Sequence, residues 1–448
     1  MPDKELKLMV FAHIGQDWKP CGQLLMTEEG NEVKAASFTY GLNYARRLDA
    51  LEVDPVSLSL RHPQGVLGKR LFPAKQLSFF GGIRDAAPDA WGRRVIEAKL
   101  KVPANSLPES QYLLHAGSDR VGALDIRTDI NEGPSHGPHV SHDLAHLMEA
   151  ADRIGEGLPV PAHLEGIFVD GTALGGARPK ASVRDAQGVL WLAKFSSQQD
   201  RFDVTGAETA TLRLAAEVGL QVPEIEMQTI GERKLMRIRR FDRYWLAADD
   251  VLANIDNLFA TQPGKGRVEH RLGFVSGLTM LACDETESRT KAYSDLAQAV
   301  REHCHPSVIR QDNAELFKRM VFNIFVSNDD DHLRNHGFLW DPRLPGWRLS
   351  PLYDVLPRAS HATERFLHLG VGPQGRLATL DNALAAHAQF TVSKADAANM
   401  MSEVWLKLRE WKVYFEKFGV APEDIDKIAP AFRHLDDIST PALRRLMA

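Results

Sequence analysis

A run of three aspartates followed by histidine and asparagine carries the strongest chemical signal in this sequence. The run reads NDDDHLRNH from Asn328 to His336, and Asp354 follows it in the segment LSPLYDV. Adjacent carboxylates repel one another unless cations or water lie nearby, and Asp and Asn oxygens suit Mg²⁺, which also bridges phosphates. The pattern indicates phosphoryl transfer, where one Asp accepts a hydroxyl proton while an Asn and a second Asp hold the metal. The alternative is a solvated acidic loop built from Asx turns.

A pair of glycines upstream forms a second candidate site. The segment consists of Gly175, Gly176, Ala177, Arg178, Pro179 and Lys180. Glycines let a backbone turn approach a ligand closely, and the N–H groups of such a turn can surround phosphate oxygens. The Walker A pattern does not occur here. A tight turn before a strand therefore remains the alternative.

A lysine within an apolar strand is the third signal. Lys194 lies in the sequence WLAKF, and a buried lysine without a partner is costly. In kinases a strand of this kind carries the lysine that binds the α- and β-phosphates of ATP, with Glu208 of the next helix as a possible ion-pair partner here. The alternative is an edge-strand lysine that reaches solvent.

The predicted elements that must position these residues are mainly strands in the N-terminal part of the chain, strands and helices in the middle part, and mainly helices in the C-terminal part. Apolar periodicity and turn residues predict strands over 6–14, 22–26, 33–40, 177–184, 189–195, 224–228 and 234–238. They predict helices over 88–100, 208–218 and 315–326, and another that starts at Ser393 with a capping box to Asp396. Its predicted buried stripe is Met401, Val404, Leu408, Trp411 and Phe415. The predicted fold class is α+β.

Composition excludes several classes of protein. The chain has 448 residues, enough for about three structural units. Its 54 basic and 59 acidic residues give a net charge of −5, so no overall attraction to nucleic acid or anionic membranes is expected. Its three scattered cysteines form no CxxC pair, which argues against a zinc knuckle or disulfide framework and favours the reducing cytoplasm. The apolar stretch near the N-terminus is too short to span a bilayer, so no membrane association is expected.

Five motifs, taken in order, resemble the HipA family of serine/threonine kinases, the toxins of HipBA toxin–antitoxin systems. They are GGARPKA, LAKF, RRFDR, NDDDHLRNHGF and LSPLYDV, and the block IRDAAPDAWG over residues 83–92 is similar to part of the family's N-terminal domain. The resemblance implies a bilobal, protein-kinase-like fold. It implies a β-rich N-terminal subdomain over 1–150, an ATP-binding lobe with the glycine loop over 151–250, and an all-helical catalytic lobe over 251–448.

The resemblance also assigns roles in the acidic segment. Asp330, two residues before His332, matches the catalytic aspartate, and Asn335 and Asp354 match the Mg²⁺ ligands. The choice of Asp330 among the three aspartates depends only on its spacing to His332 and Asn335. His332 is expected near the nucleotide, together with Tyr353.

Further positions match the nucleotide site. Lys194 matches the lysine that binds the ATP phosphates, and residues 175–180 match the phosphate loop. Arg239, Arg240 and Phe241 match the hinge whose backbone reads adenine. The implied cofactors are therefore ATP and Mg²⁺.

One position departs from the family pattern. Family members often carry a serine just before the glycine turn, and its autophosphorylation ejects the loop and silences the kinase. Here Ala173 holds that position, with Thr172 beside it. Either this route of inactivation is missing or it has moved to Thr172.

The leading hypothesis is an ATP- and Mg²⁺-dependent protein serine/threonine kinase that acts as a toxin. The resemblance suggests an aminoacyl-tRNA synthetase, notably the glutamyl enzyme, as its substrate. It also suggests a small helix-turn-helix antitoxin that brings the pair to operator DNA. One alternative is a nucleotide-binding scaffold or co-repressor with weak catalysis, although the intact set of Lys194, Asp330, Asn335 and Asp354 argues against it. The second alternative is a small-molecule or lipid kinase, because these motifs identify the site of the phosphoryl donor and not that of the acceptor.

Overall fold

The structure, a computed structural model, describes residues 4–61, 64–135, 143–170, 176, 178–197 and 200–447. It combines α-helices with antiparallel β-sheets, as predicted for the fold class. Its strands are β1 (Lys4–Ile14), β2 (Asp17–Glu29), β3 (Glu32–Tyr40), β4 (Leu124–Arg127), β5 (Lys180–Arg184), β6 (Leu190–Phe195), β7 (Ile225–Ile230), β8 (Arg233–Arg239), β9 (Arg243–Ala247), β10 (Arg267–Arg271), β11 (Gly273–Ser276), β12 (Gly337–Asp341) and β13 (Gly346–Leu349).

The first half contains seven α-helices among the residues described. They are α1 (Leu42–Ala45), α2 (Gly81–Asp85), α3 (Ala90–Leu100), α4 (Glu109–His115), α5 (Leu144–Gly155), α6 (Ile167–Asp170) and α7 (Val204–Glu217). The second half contains α8 (Gly277–Leu281), α9 (Tyr293–His303), α10 (Ile309–Val326), α11 (Leu380–Ala385), α12 (Lys394–Leu408), α13 (Trp411–Lys417), α14 (Pro422–Ile428), α15 (Leu435–Ile438) and α16 (Pro441–Met447). None of the helices described is long and apolar enough to cross a membrane.

The predicted N-terminal strands form an antiparallel sheet in the order β3-β2-β1-β4. Successive side chains of a strand point to opposite faces, so β2 alternates between buried and less buried residues, with Leu24 and Met26 buried. Gly30, at φ 63°, makes the turn from β2 to β3. The three predicted N-terminal strands are thus confirmed, and each is longer than its apolar run suggested.

The predicted middle strands form a second antiparallel sheet in the order β5-β6-β8-β7. One face of this sheet packs on α3 and α5, where Trp191, Phe195 and Leu235 share a core with Trp91 and Val95. This packing places the strand that carries Lys194 at the centre of a buried layer. The sheet is therefore a rigid support for that side chain.

The helical part is organised around α10. Its residues Leu316, Phe317, Met320 and Ile324 are fully buried, which confirms the predicted apolar spacing, and the helix begins earlier than predicted, at Ile309. An 18-residue helix buried on several sides gives its C-terminal end a fixed position. The acidic segment starts from that end.

The predicted helix from Ser393 begins as expected and ends too early. The Ser393 hydroxyl accepts the Asp396 backbone N–H at 3.1 Å, but α12 ends at Leu408. The backbone of Glu410 leaves the helical region at φ −106° and ψ 18°, so that Trp411 belongs to α13 and stacks on Phe432 at a centroid distance of 3.8 Å. The predicted single stripe from Met401 to Phe415 is therefore divided between two helices.

The expectation of an all-helical region over 251–448 was wrong, because β10, β11, β12 and β13 lie within it. Strands of four or five residues are too short to show a clear period, and β12 is buried along its whole length. Two further sheets result, one with the order β10-β9 and one with the order β11-β12-β13.

The chain divides into two compact units. The first unit comprises residues 1–198, 228–282 and 339–347, and the second comprises 199–227, 283–338 and 348–448. The candidate residues for nucleotide binding lie in the first unit, and the acidic segment with Asp354 lies in the second. The proposed boundaries at 150 and 250 stay a prediction.

Candidate functional site

The acidic segment of the second unit begins where α10 ends. Ser327 closes the helix in the left-handed region, at φ 51°, and turns the chain away from the helix axis. The backbone carbonyl of Asp330 then accepts the N–H of His332 at 2.8 Å and the side-chain amide of Asn335 at 3.1 Å. The side chain of Asn335 is thus oriented by the backbone of the predicted catalytic aspartate.

Burial separates the three aspartates. Asp331 is fully buried, whereas the side chains of Asp329 and Asp330 are 48% and 56% exposed. One carboxylate oxygen of Asp331 accepts hydrogen bonds from the Tyr293 hydroxyl at 2.5 Å and the Asn323 amide at 2.8 Å. Asp331 therefore holds the segment against α9 and α10 and cannot meet a substrate.

The electrostatics of this cluster fit a structural role for Asp331. Burial alone would raise its pKa, but the neighbouring His336, whose Nε2 lies 3.0 Å from the carboxylate, and the Tyr293 hydroxyl outweigh burial and lower the pKa. Burial and the Asp331 charge raise the pKa of Tyr293 well above its ordinary value. The carboxylate is therefore ionised while the phenol keeps its proton, so that the hydrogen bond is charge-assisted.

An arginine that the sequence did not single out holds the two exposed aspartates. Arg358 Nη2 lies 2.8 Å from Asp330 Oδ2, and its Nε lies 3.1 Å from Asp329 Oδ1. Arg358 is itself half exposed, so the pairs add only about 0–1 kcal/mol to stability. The one signal in the sequence is that Arg358 follows closely after Asp354.

The segment that carries Asp354 is fastened to the acidic segment by its neighbour. The Tyr353 hydroxyl donates to the Arg334 carbonyl at 2.7 Å, and the Leu352 N–H donates to the Gln221 carbonyl at 2.7 Å. Asp354 is exposed and adopts φ 59°, a left-handed conformation that Asp tolerates better than most residues. The bond from Tyr353 therefore holds the segment that carries Asp354 against the acidic segment.

A histidine pair lies next to the same segment. The rings of His332 and His368 meet edge to face with centroids 5.8 Å apart, and His368 Nε2 lies 3.0 Å from the Ser288 hydroxyl. Burial and the charges of His332 and Arg289 lower the pKa of His368 to about 4. His368 is therefore neutral at pH 7, and nothing in the sequence connected it with His332.

In the first unit, two lysines lie directly opposite each other. Lys180 of β5 pairs with Lys194 of β6 in the antiparallel register, and both are buried, at 5% and 8% exposure. Like charges in directly opposed positions destabilise a sheet. A buried lysine pair is therefore a favourable place for the negative charge of phosphate groups.

The glycine turn lies against one of these lysines. Gly176 has φ 86°, a left-handed conformation that favours glycine, and it lies next to Lys180 Nζ. Arg178 and Pro179 lead from the turn into β5. Of the predicted loop, Gly175 and Ala177 lie outside the described residues, as do Thr172 and Ala173.

A tryptophan from the N-terminal block fixes this turn. The Trp91 backbone N–H donates to the Gly176 carbonyl at 3.0 Å, and its indole Nε1 donates to the Lys180 carbonyl at 2.8 Å. Trp91 is fully buried. It belongs to IRDAAPDAWG, which the sequence matched to the family's N-terminal domain and did not connect with the glycine turn.

The predicted hinge residues make hydrogen bonds and packing contacts inside the first unit. The Arg240 N–H donates to the Leu190 carbonyl at 3.0 Å, and its guanidinium pairs with Asp242 at 2.7 Å. The Arg239 guanidinium donates to the Thr261 carbonyl, and Phe241 packs on the small core around Tyr244. The two arginine side chains therefore support the sheet, and a role of this backbone in reading adenine stays a prediction.

The donors available for a metal are oxygen atoms. No cluster of three or more His, Cys, Asp or Glu side chains placed to hold a metal occurs in the part of the chain that the structure describes. The predicted pair of one amide, Asn335, and one carboxylate, Asp354, nevertheless suits Mg²⁺, which takes one or two protein ligands and completes its shell with water and phosphates.

Comparison with known proteins adds the family. The chain matches the HipA-like C-terminal domain over residues 172–411, more than half of its length. It is 29% identical over 294 residues to the putative kinase Y4mE of Sinorhizobium fredii, covering 63% of this chain and 64% of that protein. It is 24% identical over 323 residues to the putative kinase Y4dM of the same organism, covering 67% of each chain.

A solved structure shares the fold. A chain in the Shewanella oneidensis structure of HipA, HipB and operator DNA superposes with a TM-score of 0.63, covering 98% of this chain and 96% of that chain at 14% identity. At this identity the likeness concerns the fold alone. Together with the match over residues 172–411, it confirms the resemblance seen in the motifs, and the chain belongs to the HipA family.

Proposed function

We propose that this chain is an ATP- and Mg²⁺-dependent kinase that phosphorylates serine or threonine on a protein. The observation that carries the proposal is the contrast within the acidic segment. Asp330 is exposed with Asn335 anchored to its carbonyl, whereas Asp331 is buried and bound through one carboxylate oxygen to Tyr293 and Asn323. A phosphoryl-transfer site needs one accessible carboxylate, held in place, beside an oxygen ligand for the metal.

Each residue then has a role that its chemistry can perform. The Asp330 carboxylate orients the substrate hydroxyl and accepts its proton. Asn335 and Asp354 would hold Mg²⁺, which supplies positive charge to the phosphates when bound. Lys180 and Lys194 bind the phosphates of ATP through their positive charges. Catalysis is then mainly positioning and electrostatic stabilisation.

The comparisons support the biological setting. The two Sinorhizobium relatives bear the name putative kinase, and the structure that shares the fold contains HipB and operator DNA. We propose that this chain is likewise a cytoplasmic toxin that binds a small helix-turn-helix antitoxin and meets DNA chiefly through it, in keeping with its net charge of −5. An aminoacyl-tRNA synthetase, such as the glutamyl enzyme, is the proposed substrate.

Labelled ATP, Mg²⁺ and a host lysate provide the test. Purified protein is expected to transfer label to a protein in the lysate, with the label on serine or threonine. Nucleotide binding without any transfer would support the scaffold alternative, and label on a lipid or metabolite would support the small-molecule alternative. Phosphopeptide mapping of the kinase itself shows whether Thr172 is modified.

A further inference from the structure

Two arginines near the segment that follows Asp354, Arg365 and Arg433, form no ion pair with an acidic residue in the part of the chain that the structure describes. Arg433 is only 7% exposed, and Arg365 is partly buried. Within the residues that the structure describes, neither guanidinium lies within 4.0 Å of an Asp or Glu carboxylate. Buried arginines are normally paired with an anion, so this pair is unusual.

The hydrogen bonds of Arg365 all go to neutral acceptors. Its Nη1 donates to the Ser327 hydroxyl oxygen at 2.6 Å and to the Ala431 carbonyl at 3.1 Å. Its Nη2 and Nε donate to the carbonyls of Ser360 and Ala362 at 2.5 and 3.2 Å. The positive charge is therefore solvated by dipoles and not neutralised.

Arg433 is less satisfied still. Its Nη2 donates to the Thr363 carbonyl at 3.1 Å and weakly to the Asp437 carbonyl at 3.5 Å, and its buried Nη1 has no hydrogen-bond partner among the residues described. Burial and the charge of Arg433 lower the pKa of Arg365, and burial lowers that of Arg433, offset in part by the more distant Asp437 carboxylate. Two cations repel each other here, with one donor unused.

We propose that Arg365 and Arg433 form a binding site for a phosphate-class oxyanion. Two guanidinium groups offer the several N–H donors and the charge that a phosphate needs, and the unused Nη1 of Arg433 supplies a donor without breaking an existing bond. The same chemistry could come from inorganic phosphate or from a phosphorylated Thr363. Thr363 is exposed and lies in the same segment.

The covalent source has a defined reaction, and it alone rests on the proposed kinase function. The Thr363 hydroxyl oxygen of one copy bonds to the γ-phosphorus of ATP held by another copy, and the bond from that phosphorus to ADP breaks. ADP leaves, and the hydroxyl proton passes to the carboxylate of Asp330. The product is a phosphate ester next to Arg433.

Ser327 connects this anion site to the acidic segment. Its hydroxyl accepts from Arg365, and its carbonyl accepts the Arg358 N–H at 3.3 Å. Arg358 in turn holds Asp330. An anion that binds Arg365 therefore affects Ser327, which bonds to the Arg358 backbone and lies just before Asp330 in the chain. This connection makes the site regulatory.

The first experiment titrates inorganic phosphate into Asp330→Asn protein at constant ionic strength, followed by calorimetry. This variant cannot transfer phosphate, so the result does not depend on kinase activity. Saturable binding is expected, weakened roughly tenfold by Arg365→Gln or Arg433→Gln, because each removes charge-assisted hydrogen bonds. Arg409→Gln is the matched control, since Arg409 is exposed and forms an ion pair with the exposed Glu410 at 3.6 Å.

Absence of saturable phosphate binding by this protein would overturn the proposal without any further variant. Binding that survives both arginine substitutions but disappears with Lys194→Met would also overturn it, because the phosphate would then occupy the nucleotide site. If Arg433→Gln does not fold, Arg433→Lys and Arg365→Gln remain. We expect Arg433→Lys to keep the charge and most of the affinity.

A second experiment distinguishes the sources of the anion. Wild-type protein is incubated with Mg²⁺ and ATP, and its phosphopeptides are mapped. Phosphate on Thr363 identifies the covalent source, and Thr363→Val then abolishes it. Saturable binding of inorganic phosphate with an unmodified Thr363 identifies a free anion. Absence of saturable phosphate binding overturns the site whether or not Thr363 is modified, whereas a lysate that stays unlabelled overturns the kinase function separately.

Discussion

The indole of Trp91 donates a 2.8 Å hydrogen bond to the backbone carbonyl of Lys180, so a residue of the N-terminal block fixes the strand that follows the glycine turn. The Trp91 backbone N–H holds the turn as well, through the carbonyl of Gly176 at 3.0 Å. The glycine turn, which is the predicted phosphate loop, therefore depends on a residue about 90 positions earlier in the chain. An isolated lobe beginning near residue 151 would lack this support.

Replacing the indole donor should loosen the loop without emptying the core. In Trp91→Phe the ring remains but the bond to Lys180 is lost, which should raise KM for ATP several-fold and change kcat less. Trp191→Phe is the control, since Trp191 is equally buried and its indole donates to Asp185 at 2.8 Å, away from the loop. Both variants should lose about 1 kcal/mol of stability. Equal KM values in the two variants would contradict the assigned role of Trp91.

The lysine pair should act in binding and not in the chemical step. Lys194→Met should abolish the rise in Tm that Mg²⁺ and ATP produce, because a ligand that binds the folded state stabilises it in proportion to its affinity. Asp330→Asn should retain that rise in Tm while losing transfer. Thermal melts with and without nucleotide measure the difference. A Lys194→Met protein that is stabilised by ATP as strongly as wild type would exclude this assignment.

Asp331 should matter for folding. Asp331→Asn leaves Tyr293 and His336 without their charged partner, and we expect a loss of about 1.5–3 kcal/mol in the free energy of unfolding, since hydrogen bonds to a charged group contribute about this much. Denaturant unfolding at pH 7 measures the change. The exposed Asp329→Asn is the matched control and should change stability by less than about 0.5 kcal/mol.

The same carboxylate predicts a pH dependence. The pKa of Asp331 is lowered in the folded protein, so its contribution is complete above the unfolded value of about 3.9 and is lost as the pH falls below it. The stability of wild type should therefore fall more steeply with acid than that of Asp331→Asn. If the free energies of unfolding of the two proteins fall in parallel between pH 5 and pH 2, the Asp331 carboxylate contributes nothing to the pH dependence. The expected difference between the proteins corresponds to the binding of about one proton.

The sequence was most informative where local pattern decides structure. The apolar alternation of β1 to β3 and the helical spacing of α10 were sufficient, because each element buries one of its own faces. The spacing from Asp330 to Asn335 was also sufficient to bring these two residues together. The five motifs, read in order, predicted the family that the comparison over residues 172–411 confirms.

Contacts between distant segments could not be predicted in the same way. Asp331 meets Tyr293 across 38 residues and Trp91 meets Lys180 across 89, and no local pattern encodes such a pairing. The burial that separates Asp331 from Asp330 depends on α9 and α10 together, so the sequence could distinguish the three aspartates only by their spacing to His332 and Asn335. The short strands β10 to β13 were missed because four or five residues show no reliable period.

The central claim is that Asp330, and neither of its neighbours, is the catalytic carboxylate. The most direct test compares phosphoryl transfer by Asp330→Asn and Asp329→Asn under the same conditions, with nucleotide binding measured in parallel. Both aspartates are exposed and both contact Arg358, so the two substitutions are closely matched. We expect Asp330→Asn to lose transfer by at least about a hundredfold, typical of a general base, with nucleotide binding intact, while Asp329→Asn stays active. Full transfer by Asp330→Asn, or loss only in Asp329→Asn, would contradict the account.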